Sequence, residues 1–146
     1  MSDEIIRCML LPLAEDYLLL PHVTVAEVIA YVEPDESSDE NKVIGAINWR
    51  GVSVPIISFE KVCDLAVKEN SIRDRIAILY HPNGDEDKPY LGVKLIDIPK
   101  SFRAEVNGLV DEKVTIKQSD YIYNQLSNEG RRLFIPNLEY MFEQLI

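Results

Sequence analysis

Much that would mark a catalyst is scarce in this sequence. Its six glycines are scattered and no Gly-x-Gly occurs, so the glycine loops that cradle phosphates are missing and nucleotide binding by those routes is excluded. There are two histidines. His22 follows a proline at a strand end and His81 precedes one at a hairpin turn, and neither has a zinc-ligand spacing to a second His, Cys or carboxylate. No serine lies in a Gly-x-Ser-x-Gly elbow. Asp85-Glu86-Asp87 lacks the spaced oxygens and later glutamate of a calcium loop. The reading is therefore no enzyme, with no catalytic residue, no metal and no cofactor.

Cysteine is equally sparse. Cys8 and Cys63 lie far apart in apolar runs, where a free thiol acts as a small hydrophobe and implies a reducing compartment. The opening Met1-Ser2-Asp3-Glu4 is acidic where a signal peptide needs basic residues, and no apolar run approaches the ~20 residues of a membrane span. A cytoplasmic protein without membrane insertion is expected. Basic residues are few: 15 against 25 acidic ones, for a net charge of -10. Polyanions are repelled by such a chain, so nucleic acid is excluded as a partner.

What is present is a globular composition, 47% hydrophobic and 27% charged over 146 residues, enough for one domain without staples. The chain reads as mainly β. Apolar runs at 5–13 and 17–20 form an opening hairpin, and 23–32 is rich in β-branched residues. In that third strand alternation puts Val23, Val25 and Ile29 on one face with Glu27 a lone charge among them. Residues 33–42 are acidic and nearly free of hydrophobes, which predicts a mobile loop. A second hairpin, 43–57, turns through Trp49-Arg50-Gly51-Val52, and Ser58 caps a helix carrying Phe59, Val62, Cys63 and Ala66 on one face. A third hairpin spans 75–80 and 90–96, 102–106 alternates like a strand, and 111–126 reads as two short strands. A closing strand at 133–135 leads to a helix with Leu138, Met141, Phe142 and Leu145 on one face.

The strand-helix segments Val54 to Cys63 and Leu133 to Phe142 share one pattern of cap, Glu and apolar positions, offset by 79 residues from Ser58 to Asn137. This predicts two β-subdomains of similar build around a joint core, approximately 1–66 and 75–146, with terminal strands free to cross between them.

The run Val43-Ile44-Gly45-Ala46-Ile47-Asn48-Trp49-Arg50-Gly51-Val52-Ser53-Val54-Pro55-Ile56-Ile57 resembles the CheW-like family of chemotaxis coupling proteins, which carries Gly-x-x-Asn-Leu-Arg-Gly-x-x-x-Pro followed by two apolar residues there. The resemblance implies a single domain of two five-stranded small β-barrels around a shared hydrophobic core. It implies a non-catalytic adaptor between the cytoplasmic tip of a methyl-accepting chemoreceptor and the regulatory domain of a CheA-like histidine kinase. Carried over by position, Val25, Val28 and Gly45 fall on the kinase-facing side, Asn48, Trp49, Arg50 and Gly51 form the motif turn, and Glu27 pairs with Arg50. Trp49 stands where the family has an aliphatic residue, and Tyr121 to Leu126 replaces a glycine-containing stretch. These departures suit a member serving type IV pili and twitching motility rather than a flagellar array. Two readings stand beside it: a structural or regulatory subunit of a pilus or motor, and a small hydrolase whose site assembles only in the fold.

Overall fold

The computed structural model describes residues 5–36, 43–105, 110–111 and 119–146. Its strands are β1 (Ile5–Pro12), β2 (Tyr17–Pro21), β3 (Val25–Ala30), β4 (Asp35–Glu36), β5 (Val43–Trp49), β6 (Val52–Ile57), β7 (Arg75–Tyr80), β8 (Tyr90–Leu95), β9 (Lys100–Glu105), β10 (Val110–Asp111), β11 (Ile122–Asn128) and β12 (Arg131–Pro136). Two short helices, α1 (Phe59–Val62) and α2 (Leu138–Leu145), follow β6 and β12. Within the expected loop 33–42, Asp35–Glu36 pairs with β5 as β4, and residues 37–42 lie outside the described residues. Of the expected strand pair at 111–126, residues 112–118 do as well, while its two ends belong to β10 and β11, which pair with each other.

The strands form two six-stranded sheets, in the orders β10-β11-β12-β2-β1-β9 and β4-β5-β6-β8-β7-β3. Each has five long strands and a two-residue edge strand. The expectation of two closed five-stranded barrels is thus corrected: both sheets are open among the described residues, with β9 and β3 as unpaired edges. The two orders are the same order. Each sheet runs edge strand, hairpin, a parallel junction (β12 with β2, β6 with β8) and a second hairpin. The offset of 79 extends to the turns: Arg50 and Gly51 have φ of 48° and 79°, Glu129 and Gly130 51° and 78°. Two successive residues at positive φ give the turn whose twist matches that of paired strands, and glycine takes the second position at no steric cost.

Strands buried on both faces explain why runs such as Arg75–Tyr80 are apolar at nearly every position. Ile76 and Ile78 point into the concave face of their sheet, with Ile47, Trp49, Val54 and Ile56. Ala77 and Leu79 point the other way, into a core shared between the sheets with Leu11, Leu18, Leu20, Phe59, Phe134 and Phe142. The other concave face holds Cys8, Leu10, Leu19, Leu126 and Leu133. Both helices plug the shared core. Ser58 and Asn137 cap them by accepting from the N–H groups of Lys61 and Tyr140 at 3.3 and 3.1 Å.

Helix α1 is shorter than its apolar spacing predicts, and Ala66 is exposed. Asp64 takes φ 54°, and the N–H groups of Asp64 and Leu65 return to the carbonyls of Lys61 and Glu60 at 3.4 and 2.7 Å. That closure satisfies the last carbonyls and turns the chain away after one turn.

Candidate functional site

The third strand does not alternate as its sequence suggests. A bulge between Val25 and Glu27 places two residues of β3 against one step of β7. Val25 and Val28 therefore share a face, both packed against the shared core, while Ala26 and Ile29 pack with the other sheet cluster. Val23 lies before the strand in a short 3-10 turn and is 81% exposed. The bulge rotates Glu27 away from the valines and toward the concave side, where it meets the β5–β6 turn.

Five residues build that meeting point: Glu27, Asn48, Trp49, Arg50 and Gly51. Asn48 accepts the N–H of Gly51 on Oδ1 at 3.1 Å, closing the turn. Trp49 is buried, its ring edge-on to Tyr90 with centroids 4.9 Å apart, and its indole N–H donates to Glu27 Oε2 at 2.5 Å. Arg50 stacks over the Trp49 ring at 4.7 Å and reaches Glu27 Oε1 at 3.5 Å. The expected Glu27–Arg50 pair thus forms, but it is the longer of two bonds to that carboxylate and it is exposed. The indole bond had no signal in the sequence, where Trp49 reads only as a bulky substitute for an aliphatic residue. Because β3 is one end of an open sheet and β5 lies next to the other end, these side chains stitch a seam that backbone pairing leaves unsewn. What they present outward is a planar cation held on an aromatic face.

Gly45 lies apart from this cluster. It is buried on β5, and a Cβ there would overlap the carbonyl oxygen of Asp35 on β4, so any side chain must displace that edge strand. The predicted site residues thus fall into three places: the seam (Glu27, Asn48, Trp49, Arg50, Gly51), the core flank (Val25, Val28) and the β4–β5 contact (Gly45).

Ionisable groups elsewhere were not foreseen. Glu60 on α1 is buried, with Oε2 accepting the Ala14 N–H at 3.2 Å and Oε1 without a protein partner. Burial pushes its carboxyl pKa up, opposed by backbone hydrogen bonds, the Lys94 charge and Ser58. The folded state therefore holds this proton more tightly than the unfolded chain, and stability is lost as pH rises through the folded-state pKa. Glu60→Gln should melt at higher temperature than the parent at pH 7. Its advantage should shrink as pH falls toward the ordinary glutamate value of 4.5; a constant gap from pH 4 to 8 in melting curves would contradict it. Burial also pushes the Cys63 thiol up to about 11, against the thiolate character that reactive cysteines need. Neither histidine hydrogen bonds a carboxylate among the described residues: His81 accepts the Asn83 N–H on Nδ1 at 3.0 Å and sets its ring edge-on to Phe142. No group of three or more His, Cys, Asp or Glu among the described residues is placed to hold a metal ion, and no described helix is long and apolar enough to cross a membrane.

Comparison with known proteins sets this arrangement in context. The CheW-like domain matches residues 7–145. Among solved structures, the scaffolding protein TtCheW from Thermoanaerobacter tengcongensis is similar, with a TM-score of 0.79 and 17% identity over 96% of this chain and 89% of that one. At that identity the likeness is one of fold. No curated protein matches the chain in sequence.

Proposed function

The chain belongs to the CheW-like domain family, and from that premise we propose that it is a non-catalytic cytoplasmic adaptor coupling a chemoreceptor tip to the regulatory domain of a CheA-like histidine kinase. The observation that carries this reading is the seam. The motif turn Asn48 to Gly51 is closed by its own hydrogen bond and presents Arg50, 68% exposed in its side chain, on a buried aromatic. A rigid arginine over a tryptophan is the kind of anchor on which interfaces concentrate their energy. Val25 and Val28 flank the shared core beside the edge of β3, and Gly45 lets β4 close the opposite edge. Together they would give a partner an apolar step next to a cationic one.

Titration calorimetry with a kinase regulatory domain and with a receptor cytoplasmic fragment tests the reading. Binding of the parent to neither at micromolar concentration would end it. Where binding is found, Glu27→Ala and Arg50→Ala should each weaken it by about 5–30-fold. Arg50→Ala should cost under about 1 kcal/mol of stability, since the ion pair is exposed, and Glu27→Ala about 1–3 kcal/mol, since it also takes the acceptor from the buried Trp49 N–H. The double variant should lose less than the sum, because both single changes release the same guanidinium. Strictly additive losses would mean that the pair acts as two independent groups.

A further inference from the structure

In a chain of net charge -10, one cleft is basic. Its volume is about 340 Å³, and Arg7, Cys8, His22, Ser101, Phe102 and Arg103 line it. Arg7 on β1 and Arg103 on β9 are direct antiparallel partners, so both side chains leave the same face of the sheet. That face can be followed along β1: Cys8 and Leu10 enter the concave cluster, Met9 and Leu11 enter the shared core, and Arg7 continues the second series past the end of the core. Ser101, paired with Met9, brings its hydroxyl to the same side.

Both arginines are exposed, and neither makes an ion pair or hydrogen bond among the described residues. Like charges directly opposite each other across two strands are unfavourable. Arginine presents a planar fork that matches a carboxylate in two bonds at once. Two forks on adjacent strands, with a hydroxyl and an imidazole beside them, can receive two neighbouring carboxylates.

We propose that the Arg7–Arg103 cleft is a docking site for paired carboxylates on an acidic segment of a partner protein. The protein's net charge selects this occupant over a polyanion such as nucleic acid, whose long-range repulsion grows with every phosphate, whereas two carboxylates are met at contact distance where the arginines dominate. The site goes beyond the adaptor reading: it holds for any acidic protein partner and would survive the failure of kinase or receptor binding.

The probe is a capped tetraglutamate peptide, titrated into the full chain at 150 mM salt and followed by the arginine side-chain and backbone NMR signals. Saturable shifts at Arg7, Ser101 and Arg103 are expected in the millimolar range, tightening as salt is lowered. The Arg7→Glu/Arg103→Glu double variant should abolish them, and Arg7→Lys/Arg103→Lys should weaken them about 3–10-fold, since lysine keeps the charge and loses the fork. Arg103→Glu alone should raise the melting temperature by about 1–4 °C by turning repulsion into attraction, and a melting curve of the double variant checks separately that it folds. Absent shifts, or shifts that persist in the folded double variant, would overturn the proposal. So would inorganic phosphate binding the same residues more tightly than the peptide, since the cleft would then be a free-anion site.

Discussion

Trp49→Ala should cost about 3–5 kcal/mol, the largest single loss expected in this molecule outside the shared core. Three consequences of one deletion add up. The indole fills the concave cluster with Ile47, Val54, Ile56, Ile76 and Ile78, and its edge contact with Tyr90 disappears. Glu27 loses its shorter hydrogen bond, and Arg50 loses the surface on which it lies. Trp49→Phe separates the contributions, because it keeps most of the volume and removes only the N–H. Urea denaturation should place Phe between parent and Ala, nearer the parent. Equal losses for Phe and Ala would mean that the N–H bond, rather than packing, fastens the seam.

Arg132→Ala should cost about 2–4 kcal/mol. Asp16, in the turn between β1 and β2, is 7% exposed and receives both forks of Arg132: Nε donates to Oδ1 at 2.8 Å and the terminal nitrogen to Oδ2 at 3.0 Å. The arginine is itself about a third exposed, so its truncation leaves a cavity of little consequence and a carboxylate of much. The asymmetry is testable. Asp16→Asn, which keeps the shape and removes the stranded charge, should restore part of the stability lost in Arg132→Ala, so that the double variant is more stable than the single one. If Asp16→Asn adds its own full loss on top, the two residues do not act as a pair.

Local features were legible in the sequence because local chemistry decides them. Ser58 and Asn137 announce helix starts, Arg50-Gly51 a two-residue turn, and the apolar runs their hairpins, and the structure has them all. The pairing of Glu27 with Arg50 was legible only through family resemblance. What escaped depends on distant parts of the chain or on a single residue out of register. One bulge moved Val25 off the face of Glu27, and strict alternation has no way to announce it. Asp64 ended α1 by adopting a left-handed conformation that an apolar pattern does not encode. Asp16 and Arg132 meet across 116 residues. Glu60 and Glu139 occupy matching places in the two strand-helix segments, yet one is buried and the other exposed; the difference lies in what packs above each helix.

The identical strand orders conceal a difference in chain route. One sheet is made from a continuous stretch, β3 to β8, while the other joins β9 to β12 with the hairpin β1–β2. During synthesis that hairpin is made before the other described strands of its sheet and its neighbour β12 after them. At about 5–20 residues per second, the 116 residues between Asp16 and Arg132 take roughly 6–23 s. Until β9 (Lys100–Glu105) is made, a two-stranded ribbon rich in leucine, marginal on its own, has neither β9 nor β12 beside it, and it lacks β12 to the end of the interval. The continuous sheet can mature meanwhile and offer its half of the shared core as a resting surface. The same route makes β1–β2 the piece that two nascent copies could trade while keeping every strand pair intact, so the fidelity of assembly rests on how quickly β12 arrives to claim its own hairpin.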